Sequence, residues 1–320
     1  MQVGTAMSTS RWRHLLTAGI VMLAILSVRA VTTGPEYMGI LTGFEEAIGM
    51  SVGPDSAYFA RGLTGDGATF TIVAIDPFGS DVGRLLFDPS YRYLRFGFPW
   101  LAALLVLGTP DLVLLGLSIV GLASVGLIAY LASMLNETRG PWAWLLICNP
   151  AVIIGALGDT AEPMALALIS LAIFTGSAIV GWTVALVRPT YLVALASRWR
   201  LFALGVATAG TAKVIWSWRL DESILSSPSV ITYPFGGVLD SPTILGWAVV
   251  LAGLITAVIG GVRRDWSWVV SGALVLCLGP VVVDTPTNAV RAAGFLPLLW
   301  AFGPRFVETR SLRSLFARTE

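Results

Sequence analysis

Residues 111–135, DLVLLGLSIVGLASVGLIAYLASML, decide the class of this chain. From Leu112 to Leu135 no side chain is charged. A helix rises about 1.5 Å per residue and needs about 20 apolar residues to cross a hydrocarbon core of about 30 Å. This run is long enough to do so. Working outward, apolar stretches at 14–31, 142–157, 163–180, 201–216, 242–262, 266–283 and 290–304 meet or approach that length.

The whole composition agrees with a membrane solvent. Of 320 residues, 56% are hydrophobic and only 12% charged, with a mean hydropathy of +0.80, whereas soluble domains run near a quarter charged. Lys and Arg (20) almost balance Asp and Glu (19), so no global field points to nucleic acid as a partner. The sequence therefore reads as one all-α domain over 1–304, a polytopic transmembrane helix bundle of about 8–10 membrane segments, followed by a basic tail at 305–320. The first apolar core, Leu15 to Val28, is followed by Arg29 and bulky residues rather than a small-x-small site, so it is kept as a span and not a cleaved leader.

Arginine placement sets an orientation. Arg11 and Arg13, Arg139, Arg198 and Arg200, Arg263 and Arg264, and Arg305, Arg310, Arg313 and Arg318 fall on one side if both termini are cytoplasmic, as the positive-inside bias expects. This requires the stretch 163–196 to make an odd number of crossings, and Arg188-Pro189 interrupts it. One crossing followed by a broken or re-entrant pair at about 181–196 satisfies the parity. Such backbone is tolerated at membrane depth only when buried in protein or lining a cavity, and Arg188 among apolar neighbours marks an internal polar site or a side chain snorkelling to the interface.

Two loops then lie outside. The first, 32–95, is acidic, holding Glu36, Glu45, Glu46, Asp55, Asp66, Asp76, Asp81 and Asp88 against Arg61, Arg84, Arg92 and Arg95. The second, 217–241, carries Asp221, Glu222 and Asp240 with Tyr233-Pro234-Phe235-Gly236-Gly237. Residues Phe96 to Gly108 are apolar but below spanning length, which suits a juxtamembrane helix.

Histidine and cysteine chemistry are poorly supplied. His14, next to Arg11 and Arg13, reads as an interfacial residue, and Cys148 and Cys277 sit inside apolar runs as small hydrophobes. Carboxylates and arginines carry the remaining candidates. In Gly53-Pro54-Asp55 the turn holds an acid ahead of Tyr58-Phe59, as a site residue or as an N-cap. In Asp88-Pro89-Ser90-Tyr91-Arg92-Tyr93-Leu94-Arg95, two arginines three residues apart share a helical face and suit a phosphate, or anchor an aromatic-basic belt at the headgroups. In Asn149-Pro150 through Gly158-Asp159-Thr160-Ala161-Glu162-Pro163, Asp159 and Glu162 share a face. Two such carboxylates can hold a divalent metal, orient a hydroxyl, or act as acid and base; the alternative is a plain helix entrance.

The order of these segments, together with Arg188-Pro189-Thr190 and Pro234-Phe235-Gly236-Gly237, resembles the GT-C superfamily of polytopic glycosyltransferases, nearest its mannosyltransferase-like bacterial and archaeal branches. The resemblance covers about residues 14–300. It implies a polyprenyl-phosphate-linked sugar as donor, a glycan, lipid or protein acceptor, and inverting transfer at the non-cytoplasmic face of the cell membrane. It also implies an essential acid in the first external loop, best matched by Asp55 with Glu45-Glu46 as rival, and further acids at Asp159 and Glu162. Tyr91, Arg92, Arg95 and Arg188, with Lys213 and Arg291, would face the donor phosphate. The chain departs from many members in lacking a carboxy-terminal external domain and a paired-acid motif at Asp55. A transporter or flippase for a lipid-linked or anionic substrate, and a non-catalytic assembly subunit on the same scaffold, remain open as alternatives.

Overall fold

The computed structural model of the chain describes residues 3–33, 65–80, 86, 89–221, 234–240, 243–283 and 286–303. These form helices: α1 (Val3–Thr33), α2 (Gly65–Ile75), α3 (Pro89–Tyr93), α4 (Gly97–Leu105), α5 (Val113–Arg139), α6 (Pro150–Leu157), α7 (Glu162–Thr175) and α8 (Ala178–Val187) in the first part. Then come α9 (Trp199–Arg219), α10 (Gly236–Asp240), α11 (Ile244–Arg263), α12 (Trp266–Leu276), α13 (Pro280–Val283), α14 (Pro286–Ala292) and α15 (Phe295–Phe302). Among the described residues four segments are long and apolar enough to cross a membrane: Trp12–Val31, Val113–Leu146, Trp199–Arg219 and Ile244–Arg263.

The axis of the bundle is set by α1 and α5, which lie antiparallel with polar contacts at both ends. At one end the ring of His14 meets Ser133 Oγ at 2.7 Å and Glu137 at 3.3 Å. At the other, Arg29 and Ser118 converge on Asp159. Between them Gly126 lets Met22 lie against the α5 backbone. His14 is thus buried between two helices, near the start of the apolar segment Trp12–Val31. Fifteen residues of α1 separate the two ends, about 22 Å at the helical rise.

Residues 162–198 pass between the two ends of the bundle three times. Helix α7 runs from the Arg29 end to the His14 end. Gly176, in the left-handed region at φ +71°, closes it. Helix α8 returns, because Arg188 at its end reaches Glu162 at the start of α7 at 2.9 Å. A 3-10 segment, Pro189–Leu195, then descends again until Arg198 donates to Ala172 O at 3.2 Å near the far end of α7. The returning pair starts at Ala178, slightly earlier than the break at Pro189 implied. Helix α7 is only 14 residues long, but apolar residues surround it and it buries most of its side chains, as a helix without a polar face must.

Besides 163–180, which turns at Gly176, three of the expected spans are not continuous helices. The stretch 142–157 is a 3-10 segment, Gly140–Leu146, joined to α6 at Asn149-Pro150. The proline lacks the N–H that an unbroken helix needs, and Asn149 caps the new helix by accepting from Ala151 N at 3.0 Å. The stretch 266–283 is divided into α12 and α13, and 290–304 into α14 and α15. The expected juxtamembrane helix after Phe96 is α4.

Close approach of backbones replaces apolar attraction as the source of helix association in lipid. The antiparallel hairpin α11/α12 shows this, since a Cβ on Gly272 would stand 2.4 Å from Gly253 O and 2.6 Å from Ala257 N. Neither neighbour is a flexible side-chain tip. Gly272→Leu is expected to separate the two helices and destabilise the protein by about 1–3 kcal/mol, seen as a lower thermal midpoint in detergent, whereas Gly261→Leu, where no atom lies within 4 Å, should leave it unchanged.

Candidate functional site

Helix α6 ends in a left-handed residue, which commonly terminates helices. Here it is Asp159, at φ +51°, and Thr160 N closes the turn onto Gly155 O at 2.9 Å. Aspartate tolerates this conformation better than most side chains. The turn is packed tightly enough that a Cβ on Gly155 would meet Pro163 Cδ at 2.6 Å. It places Asp159 and Glu162 at the mouth of α7, each almost wholly buried.

Each carboxylate is held by guanidinium groups. Arg29 forms a two-pronged pair with Asp159, Nη1 to Oδ1 at 2.6 Å and Nη2 to Oδ2 at 2.5 Å. Ser118 Oγ adds a contact to Oδ1 at 3.3 Å. Glu162 Oε1 accepts from Arg291 Nε at 2.8 Å and lies 2.7 Å from Arg291 Nη2 and 2.9 Å from Arg188 Nη1. A bidentate arginine and carboxylate form the strongest common class of side-chain hydrogen bond, and burial makes each partner indispensable to the other.

Tyr191 completes the floor. Its hydroxyl donates to Arg291 O, and Arg188 lies over its ring at 5.1 Å. Gly294 sits where a Cβ would strike Ala151 Cβ and Tyr191 Oη at 2.5 Å, and Asn149 Nδ2 donates to Gly294 O at 2.7 Å. The break at Asn149 therefore fastens the break between α14 and α15 to the charged layer. Among the described residues the buried Nε and Nη1 of Arg188 and the buried hydroxyl of Thr160 make no hydrogen bond, Nη1 meeting Glu162 as an ion pair.

The return of the first loop approaches the same layer. Gly97 packs so closely on α8 that a Cβ would lie 3.0 Å from Leu186 O and 3.1 Å from Val187 Cγ2, directly before Arg188. Just ahead of Gly97, Arg95 is buried over the rings of Tyr91 at 4.8 Å and Phe70 at 5.1 Å. Arg92 stands 5.8 Å from the Tyr91 ring. Lys213 of α9 donates to Ser90 Oγ at 2.6 Å. Tyr93 donates to Asp76 O, and burial, then the charge of Asp76, raises the pKa of its phenol.

The expected site residues thus fall into two groups at one end of the bundle. Asp159, Glu162, Arg188 and Arg291 form the deep layer. Tyr91, Arg92, Arg95 and Lys213 form the loop side. Asp55, Glu45 and Glu46 lie outside the described residues. Arg29 was missed as a site residue, although an arginine within the closing turns of an apolar span carries the same signal that singled out Arg188. Tyr191, two residues beyond Pro189, carried no comparable signal. Among the described residues no three His, Cys, Asp or Glu side chains gather to hold a metal.

Comparison with known proteins adds no name to this geometry: no family model, no curated protein and no solved structure matches the chain.

Asp159→Asn should separate charge from backbone geometry, because asparagine also tolerates the left-handed turn. Leaving Arg29 buried without its carboxylate is expected to destabilise by about 3–5 kcal/mol, read from thermal unfolding in detergent. Combining Asp159→Asn with Arg29→Met should restore most of that loss.

Proposed function

We propose that this chain is a multi-pass membrane glycosyltransferase that takes a sugar from a polyprenyl-phosphate-linked donor and transfers it, with inversion, to an acceptor hydroxyl at the non-cytoplasmic face. The observation that carries the reading is Arg188, fixed at 2.9 Å from Glu162 with its buried Nε donating to no described group. A guanidinium held in place before the ligand arrives is suited to a phosphate whose charge grows as the sugar departs.

The orientation supports this placement. His14, Arg139, Arg198 and the pair Arg263-Arg264 belong to one end of the bundle, and the Glu162 layer to the other. Under the positive-inside bias the first end, with both termini, is cytoplasmic in a cell-membrane protein. The acidic first loop and the deep layer then share the outer side.

In the proposed step the acceptor oxygen attacks the anomeric carbon as the bond from that carbon to the phosphate oxygen breaks. Asp55 takes the hydroxyl proton, and polyprenyl phosphate leaves with the bonding pair. Arg188 and Arg291 stabilise the phosphate from the deep layer, with Arg92, Arg95 and Lys213 along the loop side. Asp159 and Glu162 serve best as counterions. Each already balances arginine inside the protein.

The test is sugar transfer from a radiolabelled polyprenyl-phosphate donor in proteoliposomes. Asp55→Asn should abolish transfer, and Arg188→Gln should reduce it by about 100-fold while the protein still purifies as a folded monodisperse species. Full transfer by either variant removes that residue from the mechanism. Donor translocation without transfer by the unmodified chain would favour the flippase, to which the discontinuous helices at Asn149 and Arg188 are also suited.

A further inference from the structure

The opposite end of the bundle carries a second arginine site that the transfer chemistry does not use. A cavity of about 430 Å³ opens between the turn at Gly176 and the start of α9, lined by Ala178, Arg198, Trp199, Arg200, Leu201 and Leu204. Arg200 is exposed, stands 5.4 Å from the Trp199 ring, and makes no ion pair among the described residues. Arg198 is anchored by its bond to Ala172 O.

Three further features shape what this cavity accepts. Helices α8 and α9 both begin at its rim, and α9 has no side-chain cap for its first-turn N–H groups, so these donors and the positive helix end face the same space. Asp265, the nearby acid, is fully buried and engaged by Ser197 Oγ at 2.6 Å and Ser267 N at 3.0 Å. Beyond the arginines the lining turns apolar and outward: Trp199 is 67% exposed and Leu204 56%. A free anion would use only the rim; a lipid would use both.

We propose that this cavity binds an anionic phospholipid of the leaflet at the arginine-rich end, its phosphate between Arg198, Arg200 and the start of α9, its acyl chains against Leu204. Basic pockets between membrane helices select anionic headgroups in this way, and an indole at the rim suits the headgroup depth. The proposal needs the chain to be membrane-embedded but not the glycosyltransferase reading.

Binding is measured by native mass spectrometry and thermal shift on the purified full chain with added phosphatidylglycerol, phosphatidylcholine or inorganic phosphate. Phosphatidylglycerol should be retained and raise the midpoint, with the other two ineffective. Arg200→Gln should weaken phosphatidylglycerol about fivefold, and Arg198→Gln with Arg200→Gln about 25-fold, at about 1 kcal/mol per arginine. Because Arg198 also supports α7, the decisive variant is the exposed Arg200→Gln. Unchanged phosphatidylglycerol affinity in that variant overturns the site. Equal binding of phosphatidylcholine overturns the charge selectivity, and an equal effect of inorganic phosphate replaces the lipid with a free anion.

Discussion

The fold depends on arginines buried against carboxylates at one level of the helix bundle. An unpaired charge far from water is costly enough that the structure must supply its counterion from elsewhere in the chain. Arg29 comes from α1 and Asp159 from the turn after α6. Glu162 begins α7, Arg188 ends α8, and Arg291 belongs to α14. Two pairings thus tie together segments distant in sequence. Lipid supplies little drive for helices to associate, so such contacts and close backbone packing fix which helices are neighbours.

Broken helices follow from the same constraint. A continuous helix satisfies its own backbone but presents only side chains to the interior. Interrupting it at Asn149-Pro150 and at Arg188-Pro189 opens turns that bring polar groups to the deep layer. The freed backbone is then matched locally: Asn149 accepts from Ala151 N and donates to Gly294 O, and Arg188 O accepts from Tyr191 N at 3.0 Å. At the first break the Asn149 side chain is buried while Cys148 and Pro150 are exposed, so it is the polar group, and not the whole turn, that the protein encloses.

This explains what could be read in the sequence and what could not. The long apolar helices were legible, because length and lack of charge suffice to define them; α1, α5, α9 and α11 lie close to the stretches expected. The break within 162–198 was legible from Arg188-Pro189, and Arg188 itself from its cost in lipid. The division of 142–157 was not, since seven apolar residues in a 3-10 segment have the same composition as a helix, and only Asn149-Pro150 marked the join. Pairings were illegible for another reason. Nothing local to Arg29 names Asp159 as its partner, and nothing near Glu162 names Arg291; such matches belong to tertiary structure.

Pairing also changes how the two acids bear on chemistry. Side by side in the sequence, Asp159 and Glu162 look like a matched acid and base. In three dimensions they answer to different arginines, Asp159 to Arg29 and Glu162 to Arg188 and Arg291. A carboxylate gripped by guanidinium groups is suited to positioning those groups. On the proposed reading the division of labour follows: the deep layer supplies fixed positive charge for a departing phosphate, while proton transfer falls to an acid outside that layer. Gly97, at the return of the first loop, packs against Leu186 and Val187 directly before Arg188, so on that reading the loop is the segment from which such an acid would come.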